Sequence, residues 1–344
     1  MRQAKSAFWQ NIVDTAHTHG ENTPFFSLAP MEAVTDTVFR RVVAKAAAPD
    51  VFLTEFINAR SVAHPKAKFS VQGRLAVTED EQMPIAQLWG NRPEDFISAI
   101  AEVKERGYQA IDLNMGCPDG TVIKNHGGSD LILHPADAAR VIAAAKETGL
   151  PVSVKTRLGF NNLDTYKSWL PFLLQQDVQL LTVHLRTRKE MSKVPAHYEL
   201  IDEIIAMRDA ISPNTLLQIN GDIADRAAGL KLVQEHPGID GIMIGRGIFN
   251  DPYCFEHEPK EHSLAENLEL LRMQLDLYDE FTANFGPMHF QKLKRFFKIY
   301  VRNFSYASDL RMALMDTNTT TEVREILAQF DQEWAAHKAA SVTA

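Results

Sequence analysis

Short, nearly all-apolar runs alternate along this chain with stretches in which apolar positions recur every three or four residues, from about Thr23 to Phe255. The apolar runs are P-F-F-S-L-A-P (24–30), V-F-L-T-E-F (51–56), M-P-I-A-Q-L-W-G (83–90) and A-I-D-L-N-M-G (110–116). P-V-S-V-K-T-R-L-G (151–159), L-L-T-V-H-L-R-T (180–187), T-L-L-Q-I-N-G (215–221) and G-I-M-I-G-R-G (241–247) follow. Runs this uniformly apolar suit parallel strands covered on both faces. The stretches between them read as helices: P-E-D-F-I-S-A-I-A-E-V-K-E-R-G and P-A-D-A-A-R-V-I-A-A-A-K-E-T-G each begin with Pro and acids and end on a basic residue and Gly. Eight such strand–helix units over roughly 230 residues predict an α/β fold, a (β/α)₈ TIM barrel. An open doubly wound sheet is the alternative, but no G-x-G-x-x-G follows the first strand.

Two intervals break the rhythm. Residues 57–82 are polar and irregular, and K-F-S-V-Q-G-R-L-A-V (68–77) predicts a small hairpin at the barrel mouth. After Pro252 the strand signal stops and three helices are predicted, in N-L-E-L-L-R-M-Q-L-D-L-Y-D-E-F, H-F-Q-K-L-K-R-F-F-K-I-Y-V-R-N-F and T-T-E-V-R-E-I-L-A-Q-F. The expected division is a barrel over 1–258 and a helical domain over 259–344. No apolar run approaches the ~20 residues of a membrane span. No apolar leader follows the first residues, and two cysteines form no disulfide framework, so a cytoplasmic protein is expected, by default a monomer.

In such a barrel the chemistry collects at the C-terminal ends of the strands. Those ends carry Pro30-Met31-Glu32, Gln87, Asn114 with Cys117, Lys155 with Arg157, His184 with Arg186, Asn220-Gly221-Asp222 and Gly245-Arg246-Gly247. The last two groups make either tight turns or a phosphate cradle, and their placement after strands seven and eight favours the cradle, with Arg246 adding a charged contact. Lys155 and His184 end apolar runs, where a cation or imidazole is costly without a partner. With Gln87 they suit the polar edge of a planar cofactor such as FMN. Cys117 reads either as a small buried hydrophobe or as a thiol placed to exchange a proton or attack a substrate. Cys254, between Tyr253 and Phe255, reads as structural. No H-E-x-x-H, C-x-x-C or tight His/carboxylate cluster is evident, so no metal site is expected.

Taken together, A-P-M-E-A-V-T-D, L-N-M-G-C-P, V-K-T-R-L-G, V-H-L-R-T-R, N-G-D and M-I-G-R-G-I-F-N-D-P resemble the tRNA-dihydrouridine synthases, over most of the chain. M-E-A-V, T-V-I-K-N-H-G-G-S-D-L-I and P-A-H-Y-E-L-I are similar to bacterial members acting on the D-loop. The resemblance implies an FMN barrel joined to a helical tRNA-binding domain, reducing the C5–C6 double bond of a tRNA uridine at the expense of NADPH. It implies that Cys117 protonates C5. Lys155 and His184 would contact the flavin ring, with Gln87, Pro30 and Met31 lining it. Asn220, Gly221, Asp222, Gly245 and Arg246 would hold the ribityl chain and phosphate, and Asn114 and Arg157 would face the uracil. Leu185 stands where the family has Gly, the loop after Arg188 reads K-E-M-S-K-V-P, and Asp119-Gly120 replaces small or basic residues, departures that bear on the choice of tRNA site.

A net charge of −8 argues against a polyanionic partner. The segment from Gly286 to Ser308 reverses this locally, holding Lys292, Lys294, Arg295, Lys298 and Arg302 and no acid. Lys294, Lys298 and Arg302 share one helical face, with Arg295 alongside and Leu293, Phe297 and Phe304 on another. This is a candidate stripe for a nucleic-acid backbone, at the family's helical domain. Two rivals make distinct forecasts. An FMN reductase of small molecules has no use for the basic helix, and a non-catalytic tRNA-binding protein has no use for Cys117.

Overall fold

A computed structural model describes residues 6–64, 67 and 71–342. Eight parallel strands form the sheet in the order β1-β8-β7-β6-β5-β4-β3-β2. They are β1 (Phe25–Leu28), β2 (Ile57–Asn58), β3 (Ala86–Trp89), β4 (Ile111–Met115), β5 (Val152–Arg157), β6 (Leu180–His184), β7 (Leu216–Asn220) and β8 (Gly241–Ile244). Closure comes from the segment before β2: Val51 bridges Ser27 of β1, and Leu53 bridges Ile85 just ahead of β3. The predicted barrel is therefore present, and seven of the eight apolar runs contain their strand.

The second run does not form a regular strand over 51–56. Side chains occupy strand amides on both sides, since Asp50 accepts from Phe26 N–H of β1 at 2.6 Å and the Thr54 hydroxyl from Gln87 N–H of β3 at 3.0 Å. Ladder pairing is displaced to Ile57–Asn58 against Leu88–Trp89. The predicted hairpin is also corrected: Ala59–Ala63 is a short helix, and Val71 and Gln72 lie in a helical turn. Its residues 68–70 lie outside the described residues.

The helix Ala7–His17 closes the bottom of the barrel. Ser6 caps it, and Trp9 sinks against Phe25 at 5.7 Å between ring centroids. At the other end four described helices follow β8: Leu264–Phe285, Gln291–Tyr300, Ala307–Asp316 and Thr320–Val342. Ser263 and Glu266 form a capping box that starts the first of them. Three helices were expected; Ala307–Asp316 is additional, and Gln291–Tyr300 ends before Arg302 and Phe304, which therefore leave the predicted face. These helices share the barrel's apolar core. Phe296 packs on Phe39 of the Thr37–Ala47 helix at 4.7 Å, and Leu271, Phe297 and Tyr300 are fully enclosed.

Inside the barrel the side chains lie in layers set by register. Gln87 sits opposite Asp112 and Asp112 opposite Ser153, forming one polar layer. Above it Asn114 neighbours Lys155, and His184 neighbours both Arg157 and Asn220. That upper layer is the floor of the mouth.

Candidate active site

A cavity of about 730 Å³ opens at the C-terminal ends of the strands, within the range of about 300–1,000 Å³ usual for small-molecule sites. Pro30, Met31, Asn114, Cys117, Lys155, Arg157, His184, Asn220, Gly221, Asp222, Gly245, Arg246 and Lys298 all line it. Most of the candidates named from the sequence thus meet in one cavity. Gln87 is the exception among the barrel residues, being wholly enclosed one layer below. It donates to Asp112 Oδ2 at 2.6 Å and accepts from Asn114 Nδ2 at 2.9 Å.

Cys117 stands at the end of that relay. Asn114 Oδ1 accepts from the backbone N–H groups of Gly116 at 3.1 Å and Cys117 at 2.9 Å, folding the turn that carries the thiol. The side chain of Asn114 is thus engaged with its own turn while it lines the cavity. Arg157 is similarly occupied, donating to the carbonyls of Gly116 (2.8 Å), Thr187 (3.1 Å) and Met191 (2.9 Å). Both residues line the cavity, and both shape the cysteine turn. Trp89, Phe56 and Val122 surround Cys117, leaving it 9% exposed. Burial pushes its thiol up from the ordinary value, so the sulfur keeps its proton at neutral pH.

Lys155 and His184 come from the next two strands, β5 and β6. The Lys155 ammonium donates to Asn220 Oδ1 at 3.2 Å, its one hydrogen bond among the described residues, although an ammonium offers three donors. Asn220 is itself fixed by donating to Met243 O at 2.9 Å. Burial, then the neighbouring Arg157, lowers Lys155 to about 8, leaving it largely cationic at neutral pH. His184 is driven well below its usual value by burial and by Arg157, Lys155 and Arg186, and is therefore neutral. Arg186 NH1 lies 3.3 Å from His184 Nε2. A guanidinium only donates, so Nε2 accepts and Nδ1 carries the hydrogen.

The third part is the cradle at β7 and β8. Asp222 pairs with both Arg186 and Arg246, the latter at 2.9 Å. Its carboxylate would repel a phosphate directly, so it orients the two arginines instead. Arg186, 1% exposed, also donates to Val194 O at 2.6 Å. It belongs in the site although the sequence offers only its position two residues after His184. Gly221 has φ +129°, and a Cβ there would come within 3.1 Å of Ala196 Cβ and 3.3 Å of His184 Cδ2. Gly221→Ala should cost about 1–3 kcal/mol of local strain and tilt His184. The expected outcome is a purified protein with reduced flavin content, read from its visible absorbance against protein concentration.

These residues fit a flavin. A buried ammonium with donors to spare stands on the strand next to that of a neutral imidazole, and a Gly/Arg cradle belongs to the same cavity.

Of the basic stripe, only Lys298 reaches the cavity. Lys294 Nζ donates to Met315 O at 2.7 Å, and Arg295 reaches the carbonyls of Ala33 (3.2 Å) and Glu32 (3.4 Å), tying the helix to the loop after β1. Lys292 is half-buried beside Asp36. Arg302, beyond the helix end, donates to Phe249 O at 3.3 Å. The sequence also missed a grouping: His126, Asp130 and His134 bring three metal-type donor atoms within 4.8 Å of one another, against the expectation of no such cluster.

Comparison with known proteins gives a consistent picture. The model of the family described as "Dihydrouridine synthase (Dus)" matches residues 27–339. A Bacillus subtilis protein named "Probable tRNA-dihydrouridine synthase 2" is 55% identical over 311 residues, covering 90% of this chain and 95% of that protein. A Staphylococcus epidermidis protein named "Probable tRNA-dihydrouridine synthase" is 54% identical over 308 residues, covering 90% and 94%. Among solved structures, a complex of 2-naphthoyl-CoA reductase aligns with a TM-score of 0.50 at 11% identity, over 67% of this chain and 49% of that one, a likeness of fold alone.

Proposed function

This chain belongs to the dihydrouridine synthase family, and we propose that it reduces the C5–C6 double bond of a uridine in tRNA, with FMN as its flavin and NADPH as the reductant. Like the family, it is a flavin-dependent oxidoreductase. The observation that carries the reading is the meeting, in one cavity, of a thiol that retains its proton with a buried Lys155–His184 wall and a Gly/Arg cradle.

When bound, the flavin supplies the hydride that passes to C6 of the uracil. Cys117 gives its proton to C5, and the thiolate left behind is reprotonated from solvent. Lys155 and His184 hold the ring edge, Pro30 and Met31 line the ring, and Asn220 aligns the Lys155 ammonium. Gly221, Gly245 and Arg246 hold the ribityl chain and phosphate, while Asp222 orients the arginines. Asn114, braced by Gln87, and Arg157 fix the cysteine turn beside the uracil. The uridine must leave its stack to enter a cavity of this depth.

The helical domain from residue 259 receives the tRNA backbone, with Lys298 at the cavity rim and Lys292, Lys294 and Arg295 behind it. No helix among the described residues is long and apolar enough to cross a membrane; a tRNA substrate, as the relatives' names imply, supports a cytoplasmic enzyme, which we propose acts as a monomer. Lys298→Ala should weaken tRNA binding similarly for all accepted tRNAs. It should also shallow the log–log salt dependence by about 0.7–0.9, the loss of one phosphate contact. Binding isotherms at several salt concentrations measure this.

The defining test uses purified protein, its flavin spectrum, and NADPH-dependent formation of dihydrouridine in unmodified tRNA. A yellow protein that oxidises NADPH but leaves every tRNA pool unreduced would favour a small-molecule reductase. Turnover undiminished in Cys117→Ala would remove the thiol from the chemistry.

A further inference from the structure

We infer that His126, Asp130 and His134 form a binding site for one divalent transition metal of the zinc class, on the loop that holds the Cys117 carbonyl. The three residues are spaced i, i+4, i+8, yet they do not share a helix: a turn, a 3₁₀ segment (Gly128–Ile132) and a second turn bring them together. Asp130 Oδ2 lies 3.1 Å from His126 Nδ1 and 3.6 Å from His134 Nε2. A tetrahedral metal with ligands near 2.1 Å has ligand–ligand edges of about 3.4 Å, between those two values. Two imidazoles and one carboxylate are a borderline-soft donor set, suited to zinc and its neighbours rather than to calcium or magnesium.

Burial and exposure are divided as a metal site needs. The carboxylate is almost enclosed, which fixes its direction, while both imidazoles are open to solvent and give an entry path. His126 holds φ +55°, uncommon for a side-chain-bearing residue. His134 sits at the N-cap of the Pro135–Glu147 helix without capping it, so its ring is available for another task.

The position matters. Between His126 and Asp130 run Gly128 and Ser129, and Ser129 donates both its N–H (3.0 Å) and its Oγ–H (2.9 Å) to Cys117 O. Gly128 has φ +59°, and a Cβ on it would lie 2.8 Å from the same oxygen. A metal here links the two ends of the segment that grips the cysteine turn.

The test is a Zn²⁺ titration of metal-stripped holoenzyme against a chromophoric chelator. One equivalent should bind at micromolar metal. His126→Gln/His134→Gln should lose at least about 100-fold in affinity, more than the loss of an outer partner costs, while retaining its flavin content. Asp130→Asn should weaken binding in the same direction. Cys117→Ser should leave affinity unchanged. Absence of stoichiometric binding, equal binding by the double histidine variant, or loss of binding in Cys117→Ser would each overturn the assignment. The readout needs no tRNA, so it stands or falls separately from the reduction of uridine.

Discussion

Cys117→Ala should keep its flavin and its affinity for tRNA while reducing uridine about a hundred- to ten-thousand-fold more slowly, the usual contribution of a positioned acid. The forecast follows from where the residue's interactions lie. The backbone of Cys117 is held by Asn114 Oδ1 and by Ser129, contacts that a change of side chain leaves in place. The sulfur contributes to no hydrogen-bonded support that the cradle or the basic rim depends upon. A substitution there should therefore act on the proton and on little else. Single-turnover reaction of pre-reduced, flavin-saturated enzyme with excess tRNA isolates that step from cofactor loss.

The pH dependence gives a second handle with a definite sign. An acid works only while protonated, so turnover falls as pH rises through its pKa. Burial raises the Cys117 thiol, which moves that fall to more alkaline pH than the ~8.5 of a free thiol. Single-turnover rates should hold through pH 8.5. A rate that already halves well below this would mean that the sulfur ionises more readily than its enclosure by Trp89, Phe56 and Val122 allows.

Much of this was readable from the chain because parallel strands are written as apolar runs and a barrel's chemistry stands at their ends. Lys155, His184, Asn220 and Cys117 could be assigned to one mouth without coordinates. Depth could not. Gln87 is followed in its run by Leu88 and Trp89, and its register partner is Asp112, not Asn114; register depends on how the closed sheet is staggered. The second strand failed for a related reason: Asp50 and Thr54 satisfy strand amides through their side chains, a substitution that no period-2 pattern records. The helix Gln291–Tyr300 was foreseen, but its end was not, so Arg302 was credited with a face it does not share. His126, Asp130 and His134 are evenly spaced four apart but escaped because they share no helix: two turns and a 3₁₀ segment bring them together.

Arg186→Met is expected to destabilise the flavin-free protein by about 3 kcal/mol, near the lower bound for breaking a buried ion pair. Arg186 is enclosed, whereas its partner Asp222 is about one-third exposed and so recovers part of its hydration. Three acceptors lose a donor together: the Asp222 carboxylate, Val194 O and His184 Nε2. Arg246 and the Ala196 N–H remain on Asp222, but Arg246 then carries the whole neutralisation of that carboxylate. Less of its charge is left for a phosphate, so flavin affinity should fall as well. Asp222→Asn separates the two effects, because it weakens the tie to Arg186 while relieving Arg246 of its partner. Urea unfolding should show a smaller loss for Asp222→Asn than for Arg186→Met, and fluorescence titration with FMN should show weaker binding only in the arginine variant. Equal flavin affinity in Arg186→Met and wild type would mean that the Asp222–arginine cluster supports the loop alone, and that the phosphate is held by backbone N–H groups at Gly221 and Gly245.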